Sequence, residues 1–139
     1  MYKLIIFLSS LFLFGCQPTS LEDFSWEGRA LVRILLRDLR KIETREDLAL
    51  LEPVLKKDFK RIVELIIQAR AFQQKNPELE ISFQNINPTL NLSVKEELKR
   101  IYEMEGGREC IERSQREAML KLDAKEKLIQ KQQSAIRLK

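Results

Sequence analysis

The chain has 139 residues, enough for one domain with one real core and too few for two of ordinary size. With 44% hydrophobic and 33% charged residues but only four Gly and four Pro, it lacks the turn chemistry of an all-β fold, and helix is favoured before any periodicity is read. A formal charge of +4 suits attraction to anionic surfaces but falls short of a dedicated nucleic-acid arm, and the lack of any histidine removes the commonest general base and metal ligand.

Residues 1–15 read as a secretory signal: Lys3 and the terminal amine, then an apolar run from Leu4 to Phe14 broken only by Ser9 and Ser10. The run is about half of the roughly 20 residues a membrane-spanning helix needs. It ends in Leu13-Phe14-Gly15-Cys16, followed at once by polar Gln17-Pro18-Thr19-Ser20. This stretch resembles the lipobox of bacterial lipoproteins, with an aliphatic residue at minus three, a small one at minus one and cysteine at plus one. The resemblance implies cleavage between Gly15 and Cys16 and acylation of Cys16. Phe14 is bulkier than the family usually carries at minus two. Gln17, where the proteobacterial sorting rule uses Asp for inner-membrane retention, favours the outer membrane in a Gram-negative host. The expected organisation is a signal peptide at 1–15, a lipid-anchored tether at 16–20 and one helical domain at 21–139. The stretch "EGGRECIERSQREAMLKLDAKEKL" (105–128) resembles small uncharacterised lipoproteins of chlamydia-like bacteria, which implies no activity.

Thr19-Ser20-Leu21-Glu22 offers a capping box, so a helix is expected from Leu21. Leu21, Phe24, Leu31, Leu35, Leu39 and Ile42 share one face, to be buried, while Arg29, Arg33, Arg37 and Lys41 fall four apart on the other. The proposed tether spans at most about 14 Å, so these four are candidates for contact with anionic lipid as well as for an ordinary solvated face. Thr44-Arg45-Glu46-Asp47 repeats the capping pattern, ending the first helix near Glu43 and starting a short second one with Leu48, Leu50 and Leu51. Pro53 is read as a boundary, opening a third helix whose face of Leu55, Phe59, Ile62, Val63, Ile66, Ala69 and Phe72 centres the core.

From Asn76 to Leu92, two Pro, four Asn and the alternation Leu79, Ile81, Phe83 predict one long connection, with a two-stranded ribbon as the lesser option. Ser93-Val94-Lys95-Glu96 predicts the next helix, through Leu98 and Ile101 to a stop at Gly106-Gly107. A last helix from about Arg108 carries Ile111, Gln115, Ala118, Leu122, Ile129 and Ile136 on a narrow seam and extends past the bundle. The expected fold class is therefore all-α: a small bundle of three to four main helices with one long loop.

No constellation for catalysis emerges. Glu109, Glu112 and Asp123 lack the histidine partners of carboxylate di-metal bundles, and Ser114 and Ser134 have no base beside them. Gly106-Gly107 lacks the rest of a phosphate loop. No enzyme activity, cofactor, metal or nucleic-acid partner is expected. Cys110, left unpaired if Cys16 is acylated, is read either as a packed thiol or as one that joins a second chain. The functional expectation is a lipid-anchored protein of the bacterial cell envelope that binds or scaffolds a protein partner, its oligomeric state open. The alternative is a cytoplasmic basic helical module for nucleic acid or protein, in which residues 1–15 stay on the chain; an exported inhibitor or immunity-type protein is a third option.

Overall fold

Three of the four described helix starts are written in short polar side chains. In the computed structural model, which describes residues 18–79 and 87–137, α1 (Leu21–Arg40) begins behind Ser20, whose hydroxyl accepts from the Asp23 amide while the Asp23 carboxylate accepts from the Ser20 amide. The capping box thus sits one residue later than the expected Thr19–Glu22 frame; Thr19 joins it by donating its amide and hydroxyl to Asp23. Thr44 and Asp47 make the same reciprocal bonds at the start of α2 (Arg45–Lys75), as expected. α1 ends at Arg40, three residues before the expected stop.

Pro53 does not divide α2, contrary to the sequence reading of two helices. An interior proline removes one hydrogen bond, to the carbonyl four residues back. Here that carbonyl belongs to Ala49, and both Ala49 and Pro53 are exposed, so solvent can serve it. Buried Leu48 and Leu55 hold the two sides to the same core. α3 (Pro88–Tyr102) also begins earlier than expected: Asn87 caps it by accepting from the Leu90 amide and Pro88 occupies the first turn, so Ser93 is interior. The expected 76–92 connection shortens accordingly, and most of its Leu79–Phe83 alternation lies outside the described residues. α4 (Gly107–Arg137) follows a tight turn in which Gly106 has a φ of +77°.

The four helices form an all-α bundle, with no strand among the described residues. α1 and α2 run antiparallel, with Phe24 against Phe72 at 5.5 Å between ring centroids. α2 and α4 run parallel. Glu52–Arg113 (2.8 Å), Glu64–Lys121 (2.9 Å) and Arg70–Glu126 form a ladder of ion pairs between them, and Arg45 meets Glu105 (3.1 Å) in the turn before α4. α3 lies parallel to α1, where Arg100 donates to the Ile42 carbonyl (2.7 Å) and to the Leu39 carbonyl (3.2 Å), which also accepts from the Ile42 amide, at the end of α1. Around the bundle the order is α1, α2, α4, α3, so the connection from α2 to α3 joins diagonal helices.

The main core gathers Leu35, Leu39, Ile42, Leu48, Leu55, Ile101, Cys110 and Ile111 at the end shared by all four helices. A smaller cluster of Phe24, Leu31, Leu65 and Ala69 closes the α1–α2 pair toward the start of α1. Each such aliphatic or aromatic side chain contributes about 1.5–3 kcal/mol when fully buried, so the end around Leu39 and Ile101 is the stable base of the fold.

Candidate functional site

Gly15 and Cys16 lie outside the described residues; the described chain begins two residues past the expected attachment point. Only Pro18, Thr19 and Ser20 precede the first turn of α1 there, and the Ser20 cap fixes where the helix starts.

The outward face of α1 carries a specific pattern. Trp26, the single tryptophan of the chain, is 68% exposed, and Ala30 and Ile34 beside it are half-exposed. Arg33, Arg37, Arg40 and Lys41 continue along the same side and are all exposed. Among the expected basic residues, Arg29 stands apart: it is half-buried and lines a slot of about 90 Å³ between α1, α2 and α3, walled by Leu31, Ile62, Leu65 and Leu90. Arg37 and Lys41 each grip the Asp38 carboxylate, at 3.0 and 2.6 Å, which offsets one of the stripe's charges. Arg40 reaches Glu97 on α3 at 3.6 Å.

Beneath this face lies a feature the sequence reading missed. Asp38 is 1% exposed and Asp58, across the α1–α2 interface, is 5% exposed and close enough to feel the Asp38 charge. The Arg37 guanidinium, and then the Lys41 ammonium, hold Asp38 below the usual carboxylate range against the effect of burial. Asp58 goes the other way: burial first, then the Asp38 charge, push its carboxyl up, and its Oδ2 has no hydrogen-bond partner. A proton on Asp58 resolves both problems, removing the second charge and giving the pair a donor. Asp58 follows Leu55 by one turn on the apolar face of α2. An acid in that position was the only signal available, and it has no meaning until Asp38 is placed opposite.

Cys110 is 1% exposed, its thiol donating to the Leu48 carbonyl at 3.4 Å, with Ser114 bonded to the Cys110 carbonyl one turn on. Burial, and next the Glu52 charge, push the thiol up. A bridge to a second chain would require the first turn of α4 to lift away from α2. Among the described residues no three His, Cys, Asp or Glu side chains gather as a metal site, and no helix is long and apolar enough to cross a membrane.

No family model, no curated protein and no solved structure matches this chain.

Another concave surface among the described residues is an open groove of about 810 Å³ between the ends of α2 and α4, bordered by Arg70, Gln73, Gln74, Glu126, Ile129 and Gln130. It is polar-rimmed and lies at the opposite end of the bundle from the main core. Of the expected seam on α4, Ile111 and Ala118 are buried and Gln115, Leu122 and Ile129 half-buried.

Proposed function

We propose that this protein is a lipid-anchored component of the bacterial cell envelope, acylated on Cys16 after cleavage behind Gly15, and that it acts by binding or scaffolding rather than by catalysis. The observation that carries the reading is the apolar run ending in Leu13-Phe14-Gly15-Cys16, with polar residues immediately after it. A short reach supports it: a helix capped at Ser20 leaves only a four-residue tether from the anchor. Two or more acyl chains on one cysteine are sufficient for stable attachment, where one chain binds marginally.

The absence of histidine from the sequence argues for a binding role over acid–base chemistry. A protein partner would meet the surfaces farthest from the bundle base: the α2–α4 groove and the outer side of α4, where Leu120 and Leu128 are exposed. The test is metabolic labelling with palmitate in a bacterial host, comparing the wild-type chain with Cys16→Ser. Label in the wild-type band alone, together with loss of membrane fractionation in the variant, supports the reading. Equal behaviour of the two chains refutes it.

A further inference from the structure

We infer that the outward face of α1 is a membrane-contact surface, with Trp26 seated among the headgroups and Arg33, Arg37 and Lys41 facing anionic phospholipid. The inference deepens the lipid-anchor reading and rests on it for the placement of the tether. Three observations converge. First, Trp26 is 68% exposed although the chain has a well-formed apolar cluster directly behind it, with Phe24 buried two residues earlier. A large indole left in water on a helix is costly in apolar area, and tryptophan is the side chain most suited to the boundary between headgroups and acyl chains.

Second, the charge order along the helix matches a surface approached from the tether. Trp26, Ala30 and Ile34 form a short apolar ribbon, and Arg33, Arg37 and Lys41 flank and extend it away from the anchor. Asp38, the acid within the basic stripe, turns inward and takes only one charge from it, and Glu27, half-exposed next to Trp26 in the chain, lies about 100° around the helix from the indole. Glu22 and Asp23 precede Trp26, and Asp23 is engaged by Thr19 and Ser20 in the cap. An amphipathic helix with basic residues beside an exposed tryptophan is the pattern that lies in the plane of an anionic interface. Third, the reach is short. The Ser20 cap is four residue steps from Cys16, about 14 Å extended, and Trp26 lies about 9 Å further along the helix axis. The anchor thus presents this face to the bilayer at high local concentration, so weak contacts suffice.

Because Trp26 is the chain's single tryptophan, its emission reports on this surface alone. The mature protein, purified from membranes, is reconstituted into vesicles of phosphatidylcholine and into vesicles containing phosphatidylglycerol, and flotation scores the anchor in each. The expected result is flotation with both compositions, and a blue-shifted, acrylamide-protected Trp26 in the anionic vesicles. High salt or Arg33→Gln should remove that protection without releasing the protein. If the protein floats with both but Trp26 stays equally open to acrylamide, the surface assignment is overturned while the anchor stands. If it fails to float with phosphatidylcholine, the anchor reading fails, and protection of Trp26 in the anionic arm then decides the α1 face by itself.

Discussion

Replacing Asp58 by Asn tests the buried acid pair. Asp38 remains charged because Arg37 and Lys41 hold it at 3.0 and 2.6 Å, so a second charge on Asp58 would face it across the α1–α2 interface. Among groups acting on Asp58, burial and Asp38 raise its pKa, while Arg37 and Arg61 pull weakly the other way. A carboxyl with a raised pKa favours its neutral form in the folded state. Its stabilising contribution is complete below the unfolded value of about 3.9 and is lost as pH rises through the folded value. Each unit of elevation is worth about 1.4 kcal/mol, and the ceiling at pH 7, the cost of keeping an ordinary carboxyl protonated there, is about 4 kcal/mol. Asparagine keeps a donor toward Asp38 and carries no charge at any pH. Asp58→Asn should therefore match the wild type near pH 4 and exceed it by about 1–3 kcal/mol at pH 8, equivalent to roughly 4–10 °C in Tm for a domain of this size. Thermal and guanidinium unfolding followed by circular dichroism between pH 4 and 8 gives the comparison, since all other titrating groups are common to both chains. A difference that does not change with pH, or a variant less stable at pH 8, would refute the shared-proton account.

Glu52 carries the opposite sign. Arg113, and then Lys56, bring its carboxyl down to about 2, so its contribution exists above the unfolded value and fades as pH falls toward 2. Glu52→Gln should cost about 1–3 kcal/mol at pH 7 and almost nothing near pH 2, read by denaturant titration at both values. Pro53→Ala restores the missing hydrogen bond of α2 and should stabilise by about 1–2 kcal/mol after allowance for the looser unfolded chain, measured as a shift in the unfolding midpoint. The two glycines before and at the start of α4 should separate clearly in the same assay. Gly106→Ala meets only the left-handed backbone and should cost about 1 kcal/mol, whereas a Cβ on Gly107 would overlap the Ile101 carbonyl and should cost about 3 kcal/mol or more.

Local chemistry made the helical class and most helix starts legible, because a cap is an interaction between residues three apart. Thr44 and Asp47 could be identified without knowing anything distant. The same rule left a one-residue ambiguity at α1, since Thr19–Glu22 and Ser20–Asp23 fit the pattern equally and only the packing of Phe24 and Leu31 selects the second. Pro53 was read as a boundary because an interior proline costs about 3 kcal/mol, yet that cost is finite and burial of Leu48 and Leu55 on either side outweighs it. Asn87-Pro88 carries its own start signal, hidden by the Asn and Pro content around it and by the later Ser93 pattern. Partners across an interface were not legible: the Asp38–Asp58 pair, the Arg100 bonds to the end of α1 and the α2–α4 ion-pair ladder join residues 20 or more apart in sequence. The exposure of Trp26 was within reach of the sequence, since residues 26, 30, 33 and 37 share the side of α1 opposite the expected buried face, but a tryptophan on its own reads as a core residue.

The central claim, a lipid on the cysteine at the head of the mature chain, is tested most directly by intact mass spectrometry of the protein extracted from bacterial membranes. The account predicts a polypeptide starting at Cys16 and heavier than its sequence by a diacylglyceryl group and an amide-linked acyl chain. A mass corresponding to the unmodified chain, whether it starts at Met1 or at Cys16, would contradict it.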